Sequence, residues 1–190
     1  MAFAAGVLLG AVAPVALSTA ARADTLDSIM KAGVIRIAVP QDFPPFGSVG
    51  VDLKPLGYDI DVANLIAAKL GVKAELVPVT SANRIPYLQT KKVDLVISSL
   101  GKNPEREKVM DFSVAYAPFF NGIFGPADVK VEKVEDIAGM TVGVTRGSVE
   151  DLELTKVAPP TADIKRYEDN NSTISAFLSG QVKVVATGNV

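Results

Sequence analysis

Val93-Asp94-Leu95-Val96-Ile97-Ser98-Ser99-Leu100-Gly101-Lys102-Asn103-Pro104-Glu105-Arg106 is the stretch on which the fold turns. Val93 to Ile97 is a nearly continuous apolar run, the pattern of a strand buried on both faces of a parallel sheet. The run ends at a pair of serines. A short helix then starts, with Asn103 as its N-cap, Pro104 at the first helical position and Arg106 still in the first turn. In an open α/β sheet, ligands bind beyond the carboxyl ends of the strands. The serine hydroxyls and the free N–H groups of the helix start are donors there. Arg106 adds a planar fork that matches a carboxylate through two parallel hydrogen bonds. A blander reading stands beside this one, in which Arg106 pairs with Glu105, Glu107 or Asp111 on a solvated surface.

The same alternation extends in both directions. Upstream, a short helix from Leu26 to Lys31 precedes a strand from Val34 to Val39. A proline-bounded loop with Phe43 and Phe46 follows. Gly57-Tyr58-Asp59 then opens a helix that Gly71 stops. Asp59 and Asp61 lie in its first turn, where the helix dipole favours anions. Lys73 to Val79 reads as a strand. Asn83 is expected to cap the next helix, which puts Pro86 in its first turn. Downstream, the pattern changes at Pro118-Phe119-Phe120-Asn121-Gly122 and then restarts. A short helix at Val134–Ile137 leads to a strand at Thr141–Thr145 and a helix beginning near Ser148. A strand at Asp163–Tyr167, a helix at Ser172–Leu178 and a strand at Val182–Ala186 complete the series. Two α/β units joined by an extended segment predict two lobes with a cleft between them.

The second unit repeats the strand-to-helix corner. Arg146-Gly147-Ser148 follows the Thr141–Thr145 strand, and Ser148 with Asp151 has the form of a capping box. A plain helix cap accounts for it. A ligand site adds that Gly147 lets a ligand approach the backbone and that N–H groups face the cleft. Phe43 and Phe46 read either as core or as a flat wall over a ligand.

Composition removes much chemistry. The chain has 190 residues, 19 Lys and Arg against 21 Asp and Glu, and no Cys or His. A thiolate nucleophile, a Cys/His zinc site, a Ser-His-Asp triad and a disulfide are all excluded within this chain. With a net charge of −2 and no basic run there is no electrostatic footprint for nucleic acid. The mean hydropathy of +0.30 owes much to the N-terminus. Residues 1–20 carry no charge, Phe3 to Leu17 is apolar, and Ala21-Arg22-Ala23 has the small-x-small form of a cleavage site. A membrane anchor is the alternative, but Gly6, Gly10 and Pro14 interrupt a run already short for a bilayer. Residues 1–23 are therefore expected to be a signal peptide, although no Lys or Arg precedes the apolar run. No Cys follows for lipid attachment, so an exported, free product is expected.

These pieces together resemble the family 3 periplasmic solute-binding proteins that serve ABC importers of polar amino acids. The resemblance rests on Pro44-Pro45-Phe46, Gly57-Tyr58-Asp59-Ile60-Asp61, Val79-Thr80-Ser81-Ala82-Asn83-Arg84-Ile85-Pro86 and Val93-Asp94-Leu95. It continues through Pro104-Glu105-Arg106, Met110-Asp111-Phe112-Ser113 and Gly143-Val144-Thr145-Arg146-Gly147-Ser148. It implies a two-lobed α/β periplasmic-binding-protein fold of type II, with lobe 1 at 24–121 and a partial lobe 2 at 122–190. It implies that Arg106 clamps the ligand's α-carboxylate and that Ser98, Ser99 and Gly101 meet the main-chain end. Gly147 and Ser148 contact the carboxylate from the second lobe, and Phe43 covers the ligand. Ser81, Asn83 and Arg84 fall where a side-chain subsite would be. A monomer that docks on a membrane permease is expected, with no cofactor, metal or catalytic residue.

Two departures from the family pattern stand out. Many relatives have Ser or Thr where this chain has Gly101, and they place an aspartate for the α-ammonium where this chain has Gly188, followed by Asn189. A buried ammonium without an anion is costly. Relatives also run on through more of the second lobe, so the chain reads as C-terminally truncated. The alternative function is a periplasmic enzyme on the same scaffold, like a cyclohexadienyl dehydratase; it needs a general acid, and Gly188 cannot serve. A sensor ectodomain would need a second membrane segment, which the sequence lacks.

Overall fold

The computed structural model describes residues 24–189, so the expected signal peptide at 1–23 lies outside the described residues. Lobe 1 opens with α1 (Thr25–Ala32), whose first turn is capped by the Asp24 side chain, and then β1 (Val34–Pro40). The proline-bounded loop, expected to be irregular, forms a small antiparallel ribbon: β2 (Asp42–Phe43), β3 (Gly47–Val49) and β4 (Pro55–Leu56). Its strands are too short and too proline-rich to give a period. Next come α2 (Tyr58–Leu70), β5 (Lys73–Val79), α3 (Arg84–Gln89), β6 (Leu95–Val96) and α4 (Pro104–Glu107).

The lobe 1 sheet is parallel, in the order β5-β1-β6, with Ile37 opposite both Leu76 and Leu95. The expected Val93–Ile97 strand shrinks to two ladder residues, though Asp94 N–H and Ile97 N–H still donate to the carbonyls of Arg36 and Ala38. One face of β1 buries Ile35, Ile37 and Val39 against Ile29 of α1 and Ile60, Ala63 and Ala67 of α2. Its other face sets Ala38 with Val79 and Val93 over Tyr87 and Leu88. A sheet covered on both sides explains why β1 reads as an unbroken apolar run.

Lobe 2 holds β7 (Phe120–Phe124), a 3₁₀ turn at Val134–Ile137, β8 (Thr141–Thr145), α5 (Val149–Val157), β9 (Asp163–Tyr167), α6 (Asn170–Leu178) and β10 (Val184–Asn189). The sheet order is β7-β10-β8-β9. β8 is parallel to both its neighbours, and β7 runs antiparallel to β10. The break expected between residues 121 and 122 falls inside β7. The core is Ile137, Val142, Val144, Leu154, Val184 and Ala186, and it shares no residue with the lobe 1 core. Among the described residues no helix is long and apolar enough to cross a membrane.

Candidate functional site

α4 is only four residues long, and one bond fixes its start: Asn103 Oδ1 accepts Arg106 N–H at 2.9 Å. That turn aims the Arg106 side chain inward, where the residue is 4% exposed. The surface pairing open to Arg106 in the sequence does not form. Glu107 pairs with Lys102 at 2.7 Å and Glu105 lies 3.9 Å from Lys156. Arg106 instead donates to the Gly101 carbonyl at 2.6 Å and, across the gap between lobes, to the Gly147 carbonyl at 3.1 Å. Its Nε and the Asn103 Nδ2 are buried without an acceptor. A guanidinium taken out of water and hydrogen-bonded only to neutral carbonyls is an attractor for an anion.

A second buried arginine lies beside it. Arg84, 5% exposed, donates to the carbonyls of Ser81 (3.2 Å), Ser98 (2.6 Å) and Ser99 (3.4 Å). Burial pulls its pKa down to about 10 and the Arg106 charge pulls the same way, against the fields of Glu150, Asp42 and Asp59. Burial lowers Arg106 as well, opposed by Glu150 and Glu153. The two cations therefore crowd one another at the base of the gap. Arg84, expected at a side-chain subsite, spends the bonds it donates on tying the Ser98–Ser99 corner to the Ser81 turn. Asn83 precedes α3 but does not cap it; its Oδ1 accepts Thr80 N–H at 3.0 Å.

Ser98 is buried at 3% exposure. Ser99 sits at φ 43°, a left-handed conformation that a β-carbon disfavours. It is held there by Asp59, whose Oδ2 accepts Ser99 N–H at 2.7 Å while Oδ1 accepts the Tyr116 hydroxyl at 2.9 Å. Asp59 is fully buried, and that burial raises its pKa despite both bonds. Burial and the Asp59 carboxylate push Tyr116 upward in turn. In the sequence Asp59 looks like an ordinary first-turn anion; only its distance of 40 positions from Ser99 hides the contact.

In lobe 2, Ser148 Oγ accepts Asp151 N–H at 3.2 Å, and Asp151 Oδ2 accepts from Gly147 N–H at 3.0 Å, one residue earlier than a capping box. Gly147 adopts φ 71°, and a β-carbon there would come within 3.1 Å of Ala82 Cα in lobe 1. The two lobes thus meet backbone to backbone at this corner. At Gly101 a β-carbon would meet Val149 at an ordinary 3.5 Å, so a β-carbon fits there. At Gly188 it would overlap the Phe119 ring, which fills the space an acidic residue would need.

Phe43 stacks on Phe46 (centroids 5.6 Å, planes 11° apart) and lies 6.1 Å from Phe119. It lines a cavity of about 520 Å³ between the lobes with Asp42, Thr145, Asn170, Thr187 and Gly188. That volume suits a small molecule. Asp42 and Asn170, which the sequence did not mark, also line it and are hydrogen-bonded to each other, Asn170 N–H donating to Asp42 Oδ2 at 2.7 Å.

Residues 35–166 match the family model described as bacterial extracellular solute-binding proteins, family 3. The glutamine-binding protein of Geobacillus stearothermophilus is 33% identical over 90% of this chain and 67% of its own length. The arginine-binding extracellular protein ArtP of Bacillus subtilis is 32% identical over 67% of this chain and 51% of its own length. The chain spans between about half and two thirds of the length of the curated relatives it matches. Among solved structures, the ancestral amino acid-binding protein AncCDT-1, described as a precursor of cyclohexadienyl dehydratase, superposes with a TM-score of 0.82 at 34% identity, over 87% of this chain and 74% of that one. The holo arginine-binding protein of T. maritima gives 0.80 at 31% identity, over 85% of this chain and 72% of that one.

Proposed function

Because the chain belongs to the bacterial extracellular solute-binding proteins of family 3, we propose that it captures an amino acid or a related small carboxylate between its lobes and delivers it to the membrane permease of an ABC importer. The observation that carries this reading is Arg106: buried, without a carboxylate partner, bonded to one carbonyl from each lobe, its Nε unmatched. In this reading a ligand carboxylate takes the guanidinium fork, and Ser98, Ser99 and Gly101 hold its main-chain end. Gly147 and Ser148 close from lobe 2, Phe43 covers the ligand, and Ser81, Asn83 and Arg84 border its side chain. Lobe 1 runs from residue 24 up to β7 and lobe 2 from β7 onward, with closure by hinge motion near Ala117–Gly122. The protein works in the periplasm as a monomer, after loss of residues 1–23. With Gly188 against Phe119, no acid at position 188 meets an α-ammonium.

Calorimetric titration of the full chain with the polar amino acids and their deaminated 2-oxo counterparts tests the reading. Binding by at least one compound is expected. Arg106→Ala should then weaken it by two orders of magnitude or more, since stranding one partner of a buried pair costs roughly 3–5 kcal/mol. Unchanged affinity in that variant refutes the clamp. Turnover of cyclohexadienyl acids by the same sample would make the protein an enzyme instead.

A further inference from the structure

We propose that Asp42 is a latch that holds the two lobes together before any ligand arrives. It belongs to the ribbon of lobe 1 and is 9% exposed. Among the described residues both hydrogen bonds to its carboxylate come from lobe 2. Oδ2 accepts the backbone N–H of Asn170 at 2.7 Å and Oδ1 accepts Asn170 Nδ2 at 3.3 Å. Asn170 is the first residue of α6. Its N–H is one of the donors that a helix start leaves unpaired, and it sits at the positive end of the helix dipole. The cap residue Asp169 serves Ser172 N–H at 2.7 Å and leaves the Asn170 N–H to Asp42. A carboxylate from one lobe therefore completes the helix terminus of the other.

The contact reaches the ligand corner of lobe 2. Asn170 Oδ1 accepts the Thr145 hydroxyl at 2.8 Å, and Thr145 Oγ1 lies 2.8 Å from Thr173 Oγ1. Thr145 ends β8 and immediately precedes Arg146-Gly147-Ser148. Closing the latch thus sets α6 and the Gly147 turn in one step. A second tie, Arg106 to the Gly147 carbonyl, lies on the same turn. The exposed Glu105–Lys156 pair, at 3.9 Å, is too solvated to contribute much. When the lobes part, Asp42 and the α6 terminus must each return to water. A bound ligand then has less closure to drive, which raises apparent affinity by the closed fraction. The proposal rests on the lobes opening and closing, as in the proposed function, but not on any ligand.

The chain has no cysteine, so dyes can be placed at Lys69→Cys on α2 and Lys165→Cys on β9, both exposed positions. Single-molecule energy transfer in the ligand-free full chain then reads the inter-lobe distance. Asp42→Ala should lower the ratio of closed to open molecules roughly tenfold or more, the worth of a hydrogen bond to a charged group. Asn170→Pro should do the same from the other side. Proline suits the first helical position, and Asp169 before it is already extended (φ −144°, ψ 169°). It also removes the N–H that Asp42 accepts. The double variant should show no further shift, because both changes break one contact. A parental distance distribution in folded Asp42→Ala overturns the proposal, as does additivity of the two changes. If Asp42→Ala loses its folded circular-dichroism signal, Asp42→Asn, of equal size, should shift the ratio the same way by less; no shift overturns it. Lys156→Ala should leave the distribution unchanged, and a shift equal to that of Asp42→Ala would transfer the role. Absence of ligand heat in calorimetry defeats the proposed function and leaves this measurement standing.

Discussion

Asp59 and Arg106 are both charged groups taken out of water, and they differ in what compensates them. Asp59 receives two hydrogen bonds, yet burial keeps its pKa above the usual carboxylate range. A carboxyl raised on folding contributes most when protonated. Its contribution is fully present below the unfolded value of about 4 and is lost as pH rises through the raised folded value. Asp59→Asn keeps an acceptor for Ser99 N–H and removes the charge. The urea midpoint of Asp59→Asn relative to the parent should therefore rise as pH is raised above about 4; a difference flat in pH would show that the burial is compensated. Arg84, lowered to about 10, stays charged at neutral pH and below and adds no slope there. Arg106 was legible in the sequence because Asn103-Pro104 announces a helix start and places it in the first turn. Asp59 was legible only as a helix-dipole anion, since the N–H it accepts is 40 residues away.

At the scale of elements, the site depends on two short corners, each fixed by one capping side chain. In α4 the Asn103 carboxamide is the cap, and the helix has little length to stabilise itself. Asn103→Ala should cost about 1 kcal/mol in a urea titration. It should also weaken ligand binding, because Arg106 is aimed by that turn; loss of stability with binding intact would show that Gly101 alone orients the guanidinium. The longer elements were readable because period and stop signals agreed: Lys73–Val79, Thr141–Thr145 and Asp163–Tyr167 have the expected bounds. The β2–β4 ribbon and β7 were not. Strands of two or three residues carry no period, and β7 is a strand only because β10 lies antiparallel beside it.

Over the whole molecule, two separate apolar cores are bridged by the hydrogen bonds of Asp42 with Asn170 and of Arg106 with Gly147, and by the close approach of Gly147 to Ala82. Cores that share no residue can lose structure separately. Ile137, fully buried in lobe 2, tests this. Ile137→Ala should cost roughly 2–5 kcal/mol. Hydrogen exchange should lose protection in β8, β9 and β10 while the amides of β1 and β5 keep theirs; equal loss in both sheets would make the molecule one cooperative unit. The family also became visible at this scale, from the order and spacing of weak motifs along the chain. By itself the sequence determined the alternation of strand and helix, the exclusion of thiol and imidazole chemistry, and the corner that carries Arg106, because each of these is local in the chain. Tertiary structure alone decided that the Arg106 fork meets carbonyls from both lobes, that Phe119 occupies the space beside Gly188, and that Asp42 completes a helix 128 residues away. Those outcomes depend on how two separate cores come together, and no local pattern encodes that distance.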